Sequence, residues 1–109
     1  GHLQQVVMNL VQNAFDALEG RDGGKITLTV EAQDKVAVLD VADNGPGVPE
    51  KLRSSIFDPF FTTKPVGRGT GLGLSISLKI AEEHGGSLTL HDGPEGACFR
   101  LTLPLENGA

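Results

Sequence analysis

Apolar side chains recur at helical spacing from Leu3 to Leu18, where Leu3, Val6, Val7, Leu10, Ala14, Ala17 and Leu18 make one broad face. The spacing predicts a helix, brought to an end by Gly20, Gly23 and Gly24. The period then drops to two. Lys25-Ile26-Thr27-Leu28-Thr29-Val30-Glu31 alternates strictly, and beyond a polar Gln33-Asp34-Lys35 turn a second strand runs from Val36 to Asp43, so the pair reads as a β-hairpin. Pro46 and Pro49 punctuate the next loop, residues 49–55 suit a short helix, and residues 59–69 carry no periodicity and read as a flexible connection. Helical spacing returns from Gly71 to His84 and stops at Gly85-Gly86, a left-handed terminator with His84 at the negative end of the helix dipole. Two more strands, Ser87 to His91 and Ala97 to Leu103, are joined by Asp92-Gly93-Pro94-Glu95-Gly96. Helix, hairpin, loop, helix, hairpin predicts a two-layer α+β sandwich, with the helices on one face of a sheet whose two hairpins are antiparallel.

Composition narrows the class. A chain of 109 residues suits one core and one domain, residues 1–109. No apolar run approaches the length of a membrane span and no signal-peptide pattern opens the chain, so a soluble, cytoplasmic domain without membrane contact is expected. The lone Cys98 has no partner for an internal disulfide, which suits a reducing compartment. A formal charge of −5 with no Lys/Arg cluster argues against a nucleic-acid surface, and His2, His84 and His91 are too scattered for a metal-ligand spacing.

The candidate chemistry is phosphate binding. Gly67-Arg68-Gly69-Thr70-Gly71-Leu72-Gly73-Leu74 sets glycine at every second position and opens a helix. Bare backbone lets several amides approach one anion, and the first N–H groups of a helix lack internal partners. The loop lacks the Gly-Lys-Ser/Thr ending of a P-loop and does not follow a strand as a dinucleotide fingerprint must. On the first helix Gln5, Asn9, Asn13 and Asp16 fall within about 80° of one another, beside the apolar face. For Gln5 and Asp16 an ordinary solvated face accounts for this. Asparagine is a poor mid-helix residue, so Asn9 and Asn13 one turn apart point to a role, and a carboxamide oxygen is a hard, neutral ligand suited to magnesium.

In the second predicted strand Asp43 shares a face with Ala37, Leu39 and Val41, while Asp40 marks the wetter side, so Asp43 is expected to point inward. A buried carboxylate needs a donor. Two readings are compatible with it: a turn-forming aspartate in Asp43-Asn44-Gly45-Pro46-Gly47, or an acceptor for the exocyclic amine of a heterocycle, with Gly45 and Gly47 clearing space for a flat ring. Phe57-Asp58-Pro59-Phe60-Phe61 precedes the aperiodic stretch; core packing accounts for Phe57, and the cluster also suits the root of a lid. Lys64 and Arg68 are either phosphate-reaching cations or solvated charges. Cys98 alternates with Arg100 and Thr102, opposite Phe99, Leu101 and Leu103, which places it on the less buried face as a bystander.

Asn9-Leu10-Val11-Gln12-Asn13-Ala14, Asp43-Asn44-Gly45-Pro46-Gly47, Phe57-Asp58-Pro59-Phe60-Phe61 and Gly69-Thr70-Gly71-Leu72-Gly73-Leu74 resemble, in order, the asparagine box, first glycine box, phenylalanine box and second glycine box of bacterial sensor histidine kinases. Gly96-Ala97-Cys98-Phe99 is a weaker match to a late glycine element that more often has threonine where Ala97 stands. The resemblance implies the Bergerat ATP-binding sandwich, a mixed, mainly antiparallel sheet covered on one face by helices, and use of ATP with magnesium. It implies Asn13 as the magnesium ligand, Asp43 as acceptor from the adenine amine with Gly45 and Gly47 beside the base, and Gly69, Thr70, Gly71, Leu72 and Gly73 around the phosphates. Asp16 and Thr63 join the nucleotide site, and Asn9, Lys64 and Arg68 are the catalytic positions, the last two in the lid with Thr70. Hydrolysing relatives typically carry glutamate where Asn9 stands, and an amide cannot act as a base, which implies transfer rather than hydrolysis.

Asn13-Ala14-Phe15-Asp16-Ala17 and Phe60-Phe61-Thr62-Thr63-Lys64-Pro65 resemble kinases of the nitrogen-regulation and dicarboxylate-sensing type. His91-Asp92 has the dipeptide of a phosphoacceptor but sits at a strand end, so the resemblance implies a monomeric catalytic half of a longer kinase. Its partners are then a histidine-bearing helical dimerisation domain and, through it, a response regulator. An ATPase, a serine kinase controlling a sigma factor and a non-catalytic nucleotide-binding module are the alternatives on the same sandwich.

Overall fold

A computed structural model describes residues 2–59, 73–92 and 96–105. The first helix, α1, is His2–Ala17. Past Ala17 the chain leaves the helix through tighter turns, Leu18 N–H to Phe15 O at 3.1 Å and Arg21 N–H to Leu18 O at 3.0 Å. The hairpin follows as β1 (Ile26–Gln33) and β2 (Val36–Asp43), with Asp34 in the left-handed region at φ 53°. The short helix expected in 49–55 is a single 3-10 turn, Glu50–Leu52. Helix α2 is Gly73–Glu83, and β3 (Ser87–Asp92) and β4 (Ala97–Pro104) complete the chain order.

Helix α2 stops as its sequence predicts. Gly85 sits at φ 78°, Gly86 N–H reaches back to Ala81 O at 2.8 Å and Gly85 N–H to Glu82 O at 3.0 Å, the paired bonds of a left-handed glycine cap. The His84 ring lies 2.9 Å from Ile80 O through Nδ1, so it pairs with one of the helix's last carbonyls.

The sheet order is β1-β2-β4-β3, and all three pairings are antiparallel. The sheet among the described residues is therefore antiparallel throughout, in keeping with the mainly antiparallel sheet and the two antiparallel hairpins expected. Register puts Leu39 opposite Leu101, Val41 opposite Phe99 and Leu90 opposite Phe99, all on the face that the helices cover. Between the layers lie Val6, Leu10 and Ala14 of α1, Ile80 and Ala81 of α2, and Val41, Leu88, Phe99 and Leu101 of the sheet, closed at one side by Ile56. Phe57 packs edge-on against Phe99 with ring centroids 6.2 Å apart, which bears out its core role.

The opposite face of the sheet carries Asp40 and Arg100, paired across strands at 2.8 and 3.1 Å. Asp40 holds the Arg100 guanidinium's pKa above its ordinary value, first by hydrogen bonding and then by charge. Cys98 lies on this face beside Ala42 and His91, as its alternation predicts, yet it is buried. Its strand, β4, lies inside the sheet between β2 and β3, so face alone did not determine its exposure.

Candidate functional site

Helix α1 links two polar clusters. Asn9 donates from Nδ2 to Ser77 Oγ at 3.1 Å and to Gly73 O at 3.4 Å, tying the middle of α1 to the first turn of α2. Eight residues later, about 12 Å along the helix at 1.5 Å per residue, Ala17 lies against Gly45. Asn13 falls halfway and is half-buried, as is Asp16, whose carboxylate accepts from Gln12 Nε2 at 2.9 Å. Gln5 is exposed, in keeping with a solvated face.

Asp43 closes the second cluster. It points inward with Val41 and is only 7% exposed. Its Oδ1 accepts the Gly45 amide at 2.8 Å. The pairing supplies one donor to a buried carboxylate and leaves its second oxygen for another. A Cβ on Gly45 would stand 2.9 Å from Asp43 Oδ1 and 3.1 Å from Ala17 O, and a Cβ on Gly96 would stand 2.8 Å from Gly45 N and 2.9 Å from Asp43 Oδ1. Both glycines are therefore needed for backbone to close on the carboxylate. For Gly45 this differs from the expected reason, since the space its missing side chain leaves is taken by Asp43 and α1. Gly47, at φ 77°, lies alongside Gly96, so the late glycine element and the first glycine loop meet.

The structure brings Asn9 and Gly73 together, and Asp43, Gly45, Gly47 and Gly96 together. Phe60, Phe61, Thr63, Lys64, Arg68, Gly69, Thr70, Gly71 and Leu72 lie outside the described residues. Sequence reasoning missed Ser77, which is fully buried where α1 and α2 meet. The signal was present, because a polar residue three and four positions before Ile80 and Ala81 sits on the apolar stripe of α2.

The family model described as histidine kinase-, DNA gyrase B- and HSP90-like ATPase matches residues 1–107. Nitrogen regulation protein NtrY of Azorhizobium caulinodans is 40% identical over 111 residues, covering 95% of this chain and 14% of that protein. The C4-dicarboxylate transport sensor protein DctB of Rhizobium meliloti is 41% identical over 101 residues, covering 93% of this chain and 16% of that protein. The chain thus spans about one-seventh of the length of these curated relatives. Among solved structures, the catalytic domain of histidine kinase ThkA superposes with a TM-score of 0.82 at 42% identity, covering 94% of this chain and 67% of that one. ThkA in complex with the response regulator protein TrrA gives a TM-score of 0.77 at 41% identity over 94% of this chain and 28% of that one.

Proposed function

The chain belongs to the histidine kinase-, DNA gyrase B- and HSP90-like ATPase family, on the branch of sensor histidine kinase catalytic domains, and from that premise we propose that it binds ATP with magnesium and passes the γ-phosphoryl group to a histidine on a separate helical domain. The observation that carries this reading is Asp43: a buried carboxylate with one oxygen held by the Gly45 amide and the other left for the adenine amine. Such a base-recognising acceptor is fixed before ligand arrives, which lowers the cost of ordering it on binding.

In this reading Asn13 lies between the base end of α1 and the Asn9 contact with α2, and its neutral carboxamide oxygen fits the hard-ligand chemistry of magnesium. Bound magnesium would supply charge neutralisation at the phosphate oxygens. The backbone of residues 69–73 receives the phosphates, while Thr63, Lys64, Arg68 and Thr70 reach them from the lid, and Asp16 borders the site. Asn9 holds the start of α2 and offers no carboxylate to deprotonate water, which favours transfer over hydrolysis. In the transfer itself the imidazole nitrogen of the acceptor bonds to the γ-phosphorus as the bond to the ADP oxygen breaks, and the chain's contribution is positioning and charge stabilisation. The phosphorylated domain would then serve a response regulator in two-component signalling.

The test is a crystal of this chain soaked with a non-hydrolysable ATP analogue and magnesium, paired with a phosphate-release assay. The analogue's adenine amine is expected at Asp43, with slow release of phosphate in the absence of an acceptor. An empty site sinks the reading, and rapid steady-state phosphate release by the chain alone would move it to the ATPase class.

A further inference from the structure

The residue after Asp43 faces away from the nucleotide site and is tied to a turn that the proposed function leaves unused. Asn44 Oδ1 accepts the Lys25 amide at 2.8 Å, and Asn44 Nδ2 donates to Gly23 O at 3.0 Å. Its own backbone amide donates to Lys25 O at 3.2 Å, and its carbonyl accepts from Arg21 Nη1 at 3.1 Å. The carboxamide thus acts as an extra peptide unit. It carries the β1–β2 ladder past its last pair, Ile26 opposite Asp43, and around the turn formed by residues 20–25. Gly23, at φ 72°, gives that turn the bend that aims its carbonyl at Asn44.

We propose that Asn44 is a positioning residue for base recognition: anchored to Gly23, Lys25 and Arg21, it holds the end of β2 so that the neighbouring Asp43 presents its free oxygen in one orientation. This rests on the assignment of Asp43 to the adenine amine. The mechanical argument is local. Asp43 is the last residue of β2 and Asn44 follows it, and their side chains bond in different directions, Asp43 to the Gly45 amide and Asn44 to Gly23 and Lys25 of the turn. Asp43 Oδ1 is bonded to the Gly45 amide on the far side of Asn44, so any swing of Asn44 moves both partners of that bond together. Four hydrogen bonds at one residue remove that swing.

The consequence is selectivity for the base. An acceptor fixed in place favours the 6-amino group of adenine over the 6-oxo group of hypoxanthine, and one that can turn away discriminates less. The experiment is calorimetric titration of the 109-residue chain with ATP and with ITP, each with magnesium, for wild type, Asn44→Ala, Asn44→Asp and Arg21→Ala, with a thermal melt of each variant. The wild type is expected to prefer ATP. In Asn44→Ala that preference falls by about tenfold, the scale of a lost hydrogen bond or two. Asn44→Asp keeps the acceptor for Lys25 and loses the donor to Gly23, so it lies between, and Arg21→Ala shows a smaller loss in the same direction. If Asn44→Ala does not fold, the graded loss in Asn44→Asp and Arg21→Ala decides the matter. Variants that melt lower yet keep the wild-type ATP:ITP ratio overturn the inference and leave Asp43's role standing. A wild type that binds both nucleotides alike overturns the assignment of Asp43 and this inference with it.

Discussion

At the scale of single residues, the chemistry rests on buried polar groups whose partners can be named. Asp43 is nearly inaccessible and shares one oxygen with Gly45. Asp43→Asn replaces one acceptor by a donor against a donor amine, and is expected to weaken adenine-nucleotide binding by about 1–2 kcal/mol in calorimetric titration. Unchanged affinity would remove it from the base site. Cys98 behaves oppositely, since burial first and the Asp40 charge second push its thiol above the ordinary value of 9.0. A raised folded-state value means that the neutral thiol's contribution is full below the unfolded pKa and is lost as pH climbs through the folded one. Denaturant unfolding across alkaline pH should therefore show a decline above about pH 9 that Cys98→Ala lacks, and the thiol should react slowly with alkylating reagents at neutral pH. The inward turn of Asp43 was legible from alternation alone. The burial of Cys98 was not, because it depends on β4 lying between β2 and β3 in the sheet.

At the scale of elements, Asn9 ties α1 to α2 by polar contacts with Ser77 and Gly73 beside an apolar interface. Ser77 is fully buried and receives the Asn9 amide. Ser77→Ala leaves that amide with only the longer bond to Gly73, and is expected to cost about 1–3 kcal/mol by denaturant unfolding. Asn9→Ala added to it should cost less than the sum of the two single changes, the signature of a shared interaction. Additive losses would mean that the two side chains act separately. The glycine loops show the same dependence on neighbours. The pattern Gly45-x-Gly47 is visible in the sequence, whereas the need for bare backbone at Gly45 comes from Ala17 and Asp43, and at Gly96 from Gly45.

Across the whole molecule, the two helices cover the sheet unevenly. Leu28 and Val30 lie on the helix side of β1, opposite Val41 and Leu39, yet stand 49% and 72% exposed, because β1 is an edge strand that α1 barely reaches, whereas Leu88 on the other edge strand, β3, is buried. Stability should follow that gradient. Amide hydrogen exchange is expected to be fastest in β1 and slowest in β2 and β4, whose residues Val41, Phe99 and Leu101 are buried among both layers; uniform protection would contradict it. The element order, the two hairpins, the left-handed stop of α2 and the inward aspartate were all determined by the sequence itself. Each depends on the backbone preference or the hydrophobic period of a few adjacent residues. Tertiary structure alone decided that the sheet runs β1-β2-β4-β3, that Asn9 meets Ser77 across 68 positions, and that Gly96 closes on the Asp43 loop. Those facts arise where distant segments share one space, and local periodicity carries no record of which neighbour will fill it.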